Sequence, residues 1–253
     1  MGQMMRANRL ALITGACGGI GRVLVHAFSE QGYRVLAMDQ APQPVGLACW
    51  HYVQADLQRW VQEPAYAERA MALTTQALGD EGLSVLVNNA AEQVLGGVQA
   101  LTLDDWQRTL NVNLLAPFLL VQGLLPRLEA ADGCVINISS IHARLTKPNF
   151  LAYATSKAAL SGMTRAMAVD LGRRVRVNAI EPAAIATPML KAGFEGHPDR
   201  FAQLEARHPQ GRIGTPAEVA ALALSMAGGE LRFLHGACVG MDGGISACLH
   251  DPA

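Results

Sequence analysis

The chain has 253 residues, 51% of them hydrophobic and 16% charged, with a formal net charge of −1. That balance supplies a large buried core and excludes a disordered polyelectrolyte. With no basic run longer than Arg173–Arg174, it also excludes a nucleic-acid footprint.

Strand-like and helix-like segments alternate from end to end. RLALIT (9–14) is a short apolar run of the kind buried on both faces of a sheet. A glycine-rich turn follows. Ile20, Val23, Leu24, Ala27 and Phe28 then recur at helical spacing, and Gly32 ends the helix. RVLAM (34–38) is the second strand, ending at Asp39, and HYVQA (51–55) the third, ending at Asp56. Residues 64–78 read as a helix with Pro64 at its start, where proline is tolerated. SVLVNNA (84–90) is a fourth strand. Asp104 to about Glu129 is a long helix expected to bend at Pro117. CVINIS (134–139), a helix from Tyr153 to Leu171, VRVNAI (175–180), a helix over 216–227 and ACVGM (237–241) complete the series. The stretch 188–214 reads as an irregular loop with at most one helix, and as the lid of a substrate site, mobile until ligand binds.

This pattern predicts a single α/β domain over 1–253, a doubly wound, Rossmann-type parallel sheet with helices on both faces. No apolar run reaches the ~18 residues of a membrane span. The opening MGQMMRANRLALITG has no cleavable signal pattern, and Arg6 spoils a myristoylation motif. Cys17, Cys49, Cys134, Cys238 and Cys248 are widely spread, with no CxxC or HExxH pattern. Reduced, mostly buried thiols in a cytoplasmic protein, with no metal site and no membrane or nucleic-acid partner, are therefore expected.

In an open α/β sheet, ligands bind beyond the carboxyl ends of the strands. The turn TGACGGIG (14–21) lies at such an end. Its residues Gly15, Cys17, Gly18, Gly19, Ile20 and Gly21 suit a pyrophosphate held at a helix N-terminus, whose free N–H groups favour anions. Asp39, eighteen residues after Gly21, can accept both hydroxyls of an adenosine ribose and would repel a 2′-phosphate. No Arg or Lys in 15–21 or 39–41 welcomes that phosphate, so NAD is expected over NADP.

From here the sequence resembles the short-chain dehydrogenase/reductase family, in its single-domain branch of about this length. The likeness covers roughly residues 8–246. It rests on TGACGGIG (14–21), ADL (55–57), NNAA (88–91), NVNL (111–114), ISS (138–140), YATSK (153–157), EPAAIAT (181–187) and MDGG (241–244), in that order. The resemblance implies a seven-stranded sheet and a nicotinamide cofactor. It implies that Asp56 and Leu57 hold the adenine, that Asn89, Ala90 and Ala91 run along the cofactor, and that Pro182, Ile185 and Thr187 orient the nicotinamide end. The family usually has glycine where this chain has Ala91 and Ala183.

By the same resemblance the catalytic tetrad falls on Asn113, Ser140, Tyr153 and Lys157. Tyr153 and Lys157 stand four apart on one helix face. A nearby ammonium favours phenolate, which makes the phenol a usable acid/base. Ser140 would hold the substrate oxygen, Lys157 the nicotinamide ribose, and Asn113 a water chain. Candidate substrate residues are Glu92, Gln93, His142, Arg144, Asn149 and Met189; Glu92, Gln93 and Asn149 favour a small polar alcohol or ketone, and Arg144 could meet a carboxylate or simply face solvent. The implied assembly is a homotetramer, or a dimer. Two alternatives are an NADPH-dependent 3-oxoacyl-thioester reductase and a catalytically silent nucleotide-binding regulator.

Overall fold

The computed structural model describes residues 9–249, so the expectations for the chain's first eight residues lie outside it. Seven parallel strands form one sheet in the order β3-β2-β1-β4-β5-β6-β7. They are β1 (Arg9–Thr14), β2 (Tyr33–Asp39), β3 (His51–Gln54), β4 (Val85–Asn88), β5 (Cys134–Ile138), β6 (Arg176–Pro182) and β7 (Cys238–Met241). The helices are α1 (Gly19–Glu30), α2 (Leu57–Gln62), α3 (Pro64–Leu78), α4 (Leu103–Leu110), α5 (Ala116–Ala130), α6 (Leu151–Leu171), α7 (Pro188–Ala192), α8 (Pro198–Ala206) and α9 (Pro216–Ala227).

Successive strand residues point to opposite faces, and here both faces are apolar. Leu10, Leu12, Leu36, Leu86 and Val135 pack with Trp60, Leu78, Leu120 and Leu124 of α2, α3 and α5. Ala11, Ile13, Val35, Val87 and Ile136 pack with Leu24, Phe28, Val219 and Met226 of α1 and α9. Two cores therefore sandwich one sheet. The strand order reverses between β1 and β4, so the loops after those two strands diverge and leave a crevice at the sheet's carboxyl edge.

Four local expectations need correction. The helix α2 went unforeseen; Asp56 caps it by accepting from the Gln58 and Arg59 N–H groups, and it buries Leu57 and Trp60. The stretch 188–214 is not irregular: Pro188 and Pro198 open two short helices, α7 and α8, from the first-turn position where the missing N–H costs nothing. The long helix is distorted before Pro117 rather than at it. Pro117 has no N–H to offer the Asn113 carbonyl, and Asn111–Leu115 winds as one π-helical turn, with the Ala116 N–H bonded to the Asn111 carbonyl. Only Cys134 is buried; the other four free cysteines are partly exposed.

Leu103–Ala130 forms 28 continuous helical residues, long and apolar enough by length and composition to cross a membrane. Its Leu120, Leu124 and Leu128 are nonetheless buried in the core.

Candidate active site

The glycine turn is shaped by contacts that leave no room for side chains. Gly15 has φ +64°, and a Cβ there would lie 2.7 Å from the Ala90 Cα. A Cβ on Gly21 would come within 1.9 Å of the Gly15 carbonyl oxygen, and one on Gly19 within 2.9 Å of Thr187 and Pro188. The turn therefore abuts the segment after β6. Asn89 fastens it from the other side: its Nδ2 donates to the carbonyls of Thr14 (2.9 Å) and Gly15 (3.1 Å). Thr14 Oγ1 accepts from the Asn89 and Ala90 N–H groups, both at 3.0 Å. Gly18, the N-cap of α1, supplies no capping side chain, and no acidic residue occupies the first turn. The helix thus presents its opening N–H groups to an anion.

Asp39 ends β2 beside this turn. Its Oδ2 accepts from the Cys17 N–H (2.8 Å) and its Oδ1 from the Ala41 N–H (3.0 Å). An ionised carboxylate has about four acceptor positions, so roughly two remain. This donor and acceptor set fits a dinucleotide: N–H groups for the pyrophosphate and a carboxylate edge for ribose hydroxyls. Around it, Asp56 serves as the α2 cap and Leu57 is buried. Ile185 is buried and bridged to Gly214, and Thr187 caps α7. Pro182 ends β6 in register with Met241. Neither Ala91 nor Ala183 has positive φ, so alanine costs no backbone strain at either position.

The four catalytic candidates converge across the crevice. Ser140 lies just past β5, with its hydroxyl close enough to the Tyr153 phenol to favour the ionised form. The same oxygen accepts from the His142 N–H at 3.1 Å. Burial pushes the Tyr153 phenol above its ordinary value, and the Ser140 hydroxyl pulls it partly back. Lys157 is 2% exposed; its ammonium donates to the Ile138 carbonyl at 2.8 Å and sits 5.6 Å from the Tyr153 ring centroid. Burial lowers Lys157 to about 8. The expected lowering of Tyr153 by Lys157 is therefore not realised in this arrangement, in which burial dominates both groups.

Asn113 sits in the π-helical turn, fully buried. Its side chain accepts from the Glu92 N–H (2.7 Å) and donates to the Glu92 carbonyl (2.9 Å) and Ser156 Oγ (2.9 Å). All its polar capacity toward these partners goes into tying the loop after β4 to α6. Any water contact falls to its backbone carbonyl, which Pro117 leaves without the usual helical donor.

Two substrate candidates are committed elsewhere. The Glu92 carboxylate pairs with Arg108 (3.3 Å), which also faces Asp105. Arg144 is neither solvated alone nor free for a substrate carboxylate, because its Nε stands 2.8 Å from Glu181 Oε2. Glu181 is 2% exposed at the end of β6, and its other oxygen accepts from Ser161 at 2.8 Å. Ser161 in turn meets Ser139 at 2.9 Å, and Ser139 bonds the Lys157 carbonyl at 3.0 Å. Arg144, Glu181, Ser161 and Ser139 thus brace α6 at its catalytic end, a role sequence spacing did not reveal for Glu181. Arg144→Ala leaves a buried carboxylate without its cation. It should cost about 1–3 kcal/mol, and Arg144→Ala/Glu181→Gln should recover most of that loss in thermal melts.

The remaining candidates stay near the phenol or the rim. His142 stacks on Phe150 (centroids 4.5 Å apart) and lies edge-on to Tyr153 at 5.8 Å. Burial, with the Lys147 charge nearby, lowers His142 to about 4, so it is neutral at physiological pH. Asn149 takes positive φ (+68°), and its carbonyl accepts from the Gly96 N–H at 2.8 Å, pinning the rim loops together. Gln93 and Met189 are exposed, Met189 at 78%. Among the described residues no cluster of His, Cys, Asp and Glu could hold a metal ion.

Comparison with known proteins agrees with this geometry. The family described as enoyl-(acyl carrier protein) reductase matches residues 15–246. Protein FixR of Bradyrhizobium diazoefficiens is 36% identical over 93% of this chain and 86% of its own. D-threitol dehydrogenase of Mycolicibacterium smegmatis is 32% identical, over 94% and 93%. The solved aldohexose dehydrogenase of Thermoplasma acidophilum superposes with a TM-score of 0.88 at 29% identity, covering 97% of each chain. Solved neighbours of this fold hold NADP or NADH. With its glycine turn, its strand-end asparagines and its Ser140–Tyr153–Lys157 arrangement on a 3-2-1-4-5-6-7 parallel sheet, the chain belongs to the short-chain dehydrogenase/reductase family of oxidoreductases.

Proposed function

We propose that the protein is an NAD(H)-dependent dehydrogenase/reductase of a small polar alcohol or ketone, with Tyr153 as the acid/base. The observation that carries the reading is the grouping of the Tyr153 phenol with the Ser140 hydroxyl and buried Lys157, at the carboxyl edge of the sheet and across the crevice from the glycine turn. When bound, the nicotinamide supplies or accepts the hydride. The chain's own part is to manage the proton. In reduction Tyr153 donates to the carbonyl oxygen; in oxidation it takes the hydroxyl proton. Ser140 holds that oxygen against the phenol. Lys157 has three N–H donors and spends one on the Ile138 carbonyl, which leaves two for the nicotinamide ribose and for a water on the Asn113 carbonyl.

The preference for NAD rests on counting at Asp39. Its two remaining acceptor positions match two ribose hydroxyl donors. A 2′-phosphate is an acceptor and would face that carboxylate while the neighbouring N–H donors of Cys17 and Ala41 are already taken. The same argument disfavours an NADPH-dependent 3-oxoacyl-thioester reductase. The silent-regulator alternative has no supporting lesion, since all four catalytic candidates are present.

With Glu92 and Arg144 committed, neutral His142, the Asn149 side chain and exposed Gln93 are the polar candidates left to meet a substrate. A polyol or sugar suits them, and the threitol and aldohexose activities named for two relatives support that class. Exposed Leu115, Phe118, Leu151 and Val169 on α5, its preceding turn and α6 support pairing of those helices in a tetramer, the five free cysteines support a cytoplasmic enzyme, and the near-zero net charge supports the absence of a nucleic-acid partner. The test is a panel of polyols, sugars, hydroxy acids, steroids and ketones with NAD(H) and NADP(H), read at the nicotinamide absorbance. Polyol or sugar turnover with at least tenfold better kcat/KM for NAD(H) is expected. Turnover confined to steroids, or preferred with NADP(H), overturns the respective part.

A further inference from the structure

The corner around Asp39 contains a residue that neither the motifs nor the spacing singled out. Tyr52 lies on β3, in register with Ala37 and two positions before the Asp39–Gln54 pair. Its hydroxyl donates to the Ala41 carbonyl and stands 3.4 Å from Cys17 Sγ. Together with the Asp39 bonds to the Cys17 and Ala41 N–H groups, this closes a ring through Cys17, Asp39, Ala41 and Tyr52. The ring joins three separate segments: the glycine turn, the end of β2 and β3.

The proton inventory of the ring is determined. A phenol has one hydrogen to donate, and Tyr52 spends it on the Ala41 carbonyl. The thiol is then the donor in its contact with Tyr52. The Cys17 and Ala41 N–H groups are both spent on Asp39. The carboxylate therefore occupies the donors that an external anion would need, and Tyr52 anchors the Ala41 carbonyl, one Cα away from the N–H on Asp39, which keeps that stretch of chain in place. Burial raises Tyr52 above its ordinary value, so the phenol remains a donor across the working pH range.

We propose that Tyr52 is a specificity-determining residue, locking the Cys17–Asp39–Ala41 corner so that its N–H groups stay on Asp39 and are withheld from a 2′-phosphate. This rests on the NAD reading above and adds a second element to it. The charge of Asp39 repels the phosphate, and Tyr52 denies it the backbone donors it would use once the Ala41 segment turned away.

The test uses binding alone, so it is independent of turnover. Calorimetry compares 5′-AMP with adenosine 2′,5′-bisphosphate on the wild type, Tyr52→Phe and Cys17→Ala, each first shown by thermal melt to be folded. The wild type should bind 5′-AMP at least tenfold more tightly. Tyr52→Phe should narrow that ratio about fivefold, the size expected for one lost hydrogen bond, with 5′-AMP itself weakened less than threefold. Cys17→Ala, which removes the other side of the ring, should narrow it in the same direction. A ratio unchanged in both variants, or both ligands weakened equally, overturns the role of Tyr52 and leaves the NAD reading standing. A wild type that prefers the bisphosphate overturns both.

Discussion

Tyr153→Phe should nearly abolish turnover while leaving the fold and dinucleotide binding intact. The substitution removes one oxygen from a ring that keeps its place against His142 and Phe150. What disappears is the proton donor and acceptor, whose contribution in acid–base catalysis is about 10²–10⁴-fold. Loss of kcat with a calorimetric dinucleotide Kd within about threefold of the wild type is the expected pair of results. Near-normal kcat would remove Tyr153 from the chemistry. The pH profile of the wild type tests the same point. Because burial holds the phenol above its ordinary value, the group is protonated and ready to donate throughout the neutral range. Reduction should therefore be flat there, while oxidation, which needs the deprotonated phenol, should rise with increasing pH. An oxidation rate that fell between pH 7 and 9 would contradict the assignment.

Much of this site is legible from residue types because the physics is local. Gly15 and Gly21 announce themselves because no side chain fits where they lie, and the alternation of apolar strands and helices fixes the sheet that carries them. Asp39 is legible because it ends a strand a fixed distance after the turn. What spacing misses is whatever depends on partners distant in the chain. Arg144 and Glu92 read as free polar groups facing a pocket, yet Glu181 and Arg108 claim them. Tyr52 reads as an ordinary strand residue, and only the register of β2 with β3 brings it to Cys17. The prolines of 188–214 suggest an irregular loop with at most one helix, yet two of them start helices, a signal present in Thr187–Pro188 as a cap followed by a first-turn proline. The π-helical turn has a similar cause: Pro117 was visible, but its effect falls one turn upstream, on the Asn113 carbonyl it fails to pair.

Lys157 allows activity and stability to be separated. Its ammonium is buried with a single carbonyl partner, and burial lowers it from 10.5 to about 8 by disfavouring the charged form. Converted, that fall corresponds to roughly 3 kcal/mol against the folded state at neutral pH. Lys157→Met keeps an unbranched side chain of similar length and removes the charge. The Ile138 carbonyl loses its donor, which offsets part of the gain. The variant should therefore be more stable than the wild type by about 1–3 kcal/mol at pH 7, and inactive, because the only ammonium beside Tyr153 among the described residues is gone. The pH dependence fixes the cause. Since the folded pKa lies below the unfolded one, the unfolded chain binds more protons between about 8 and 10.5, and wild-type stability should climb across that window. Below about 8 the lysine is charged in both states and the penalty is constant. Lys157→Met should lack the climb, so the two stability curves converge toward pH 10. Denaturant unfolding at pH 7, 8, 9 and 10 measures this directly. A variant less stable than the wild type at pH 7, or a constant difference across the series, would show that Lys157 contributes more through packing and its Ile138 bond than it costs through its charge.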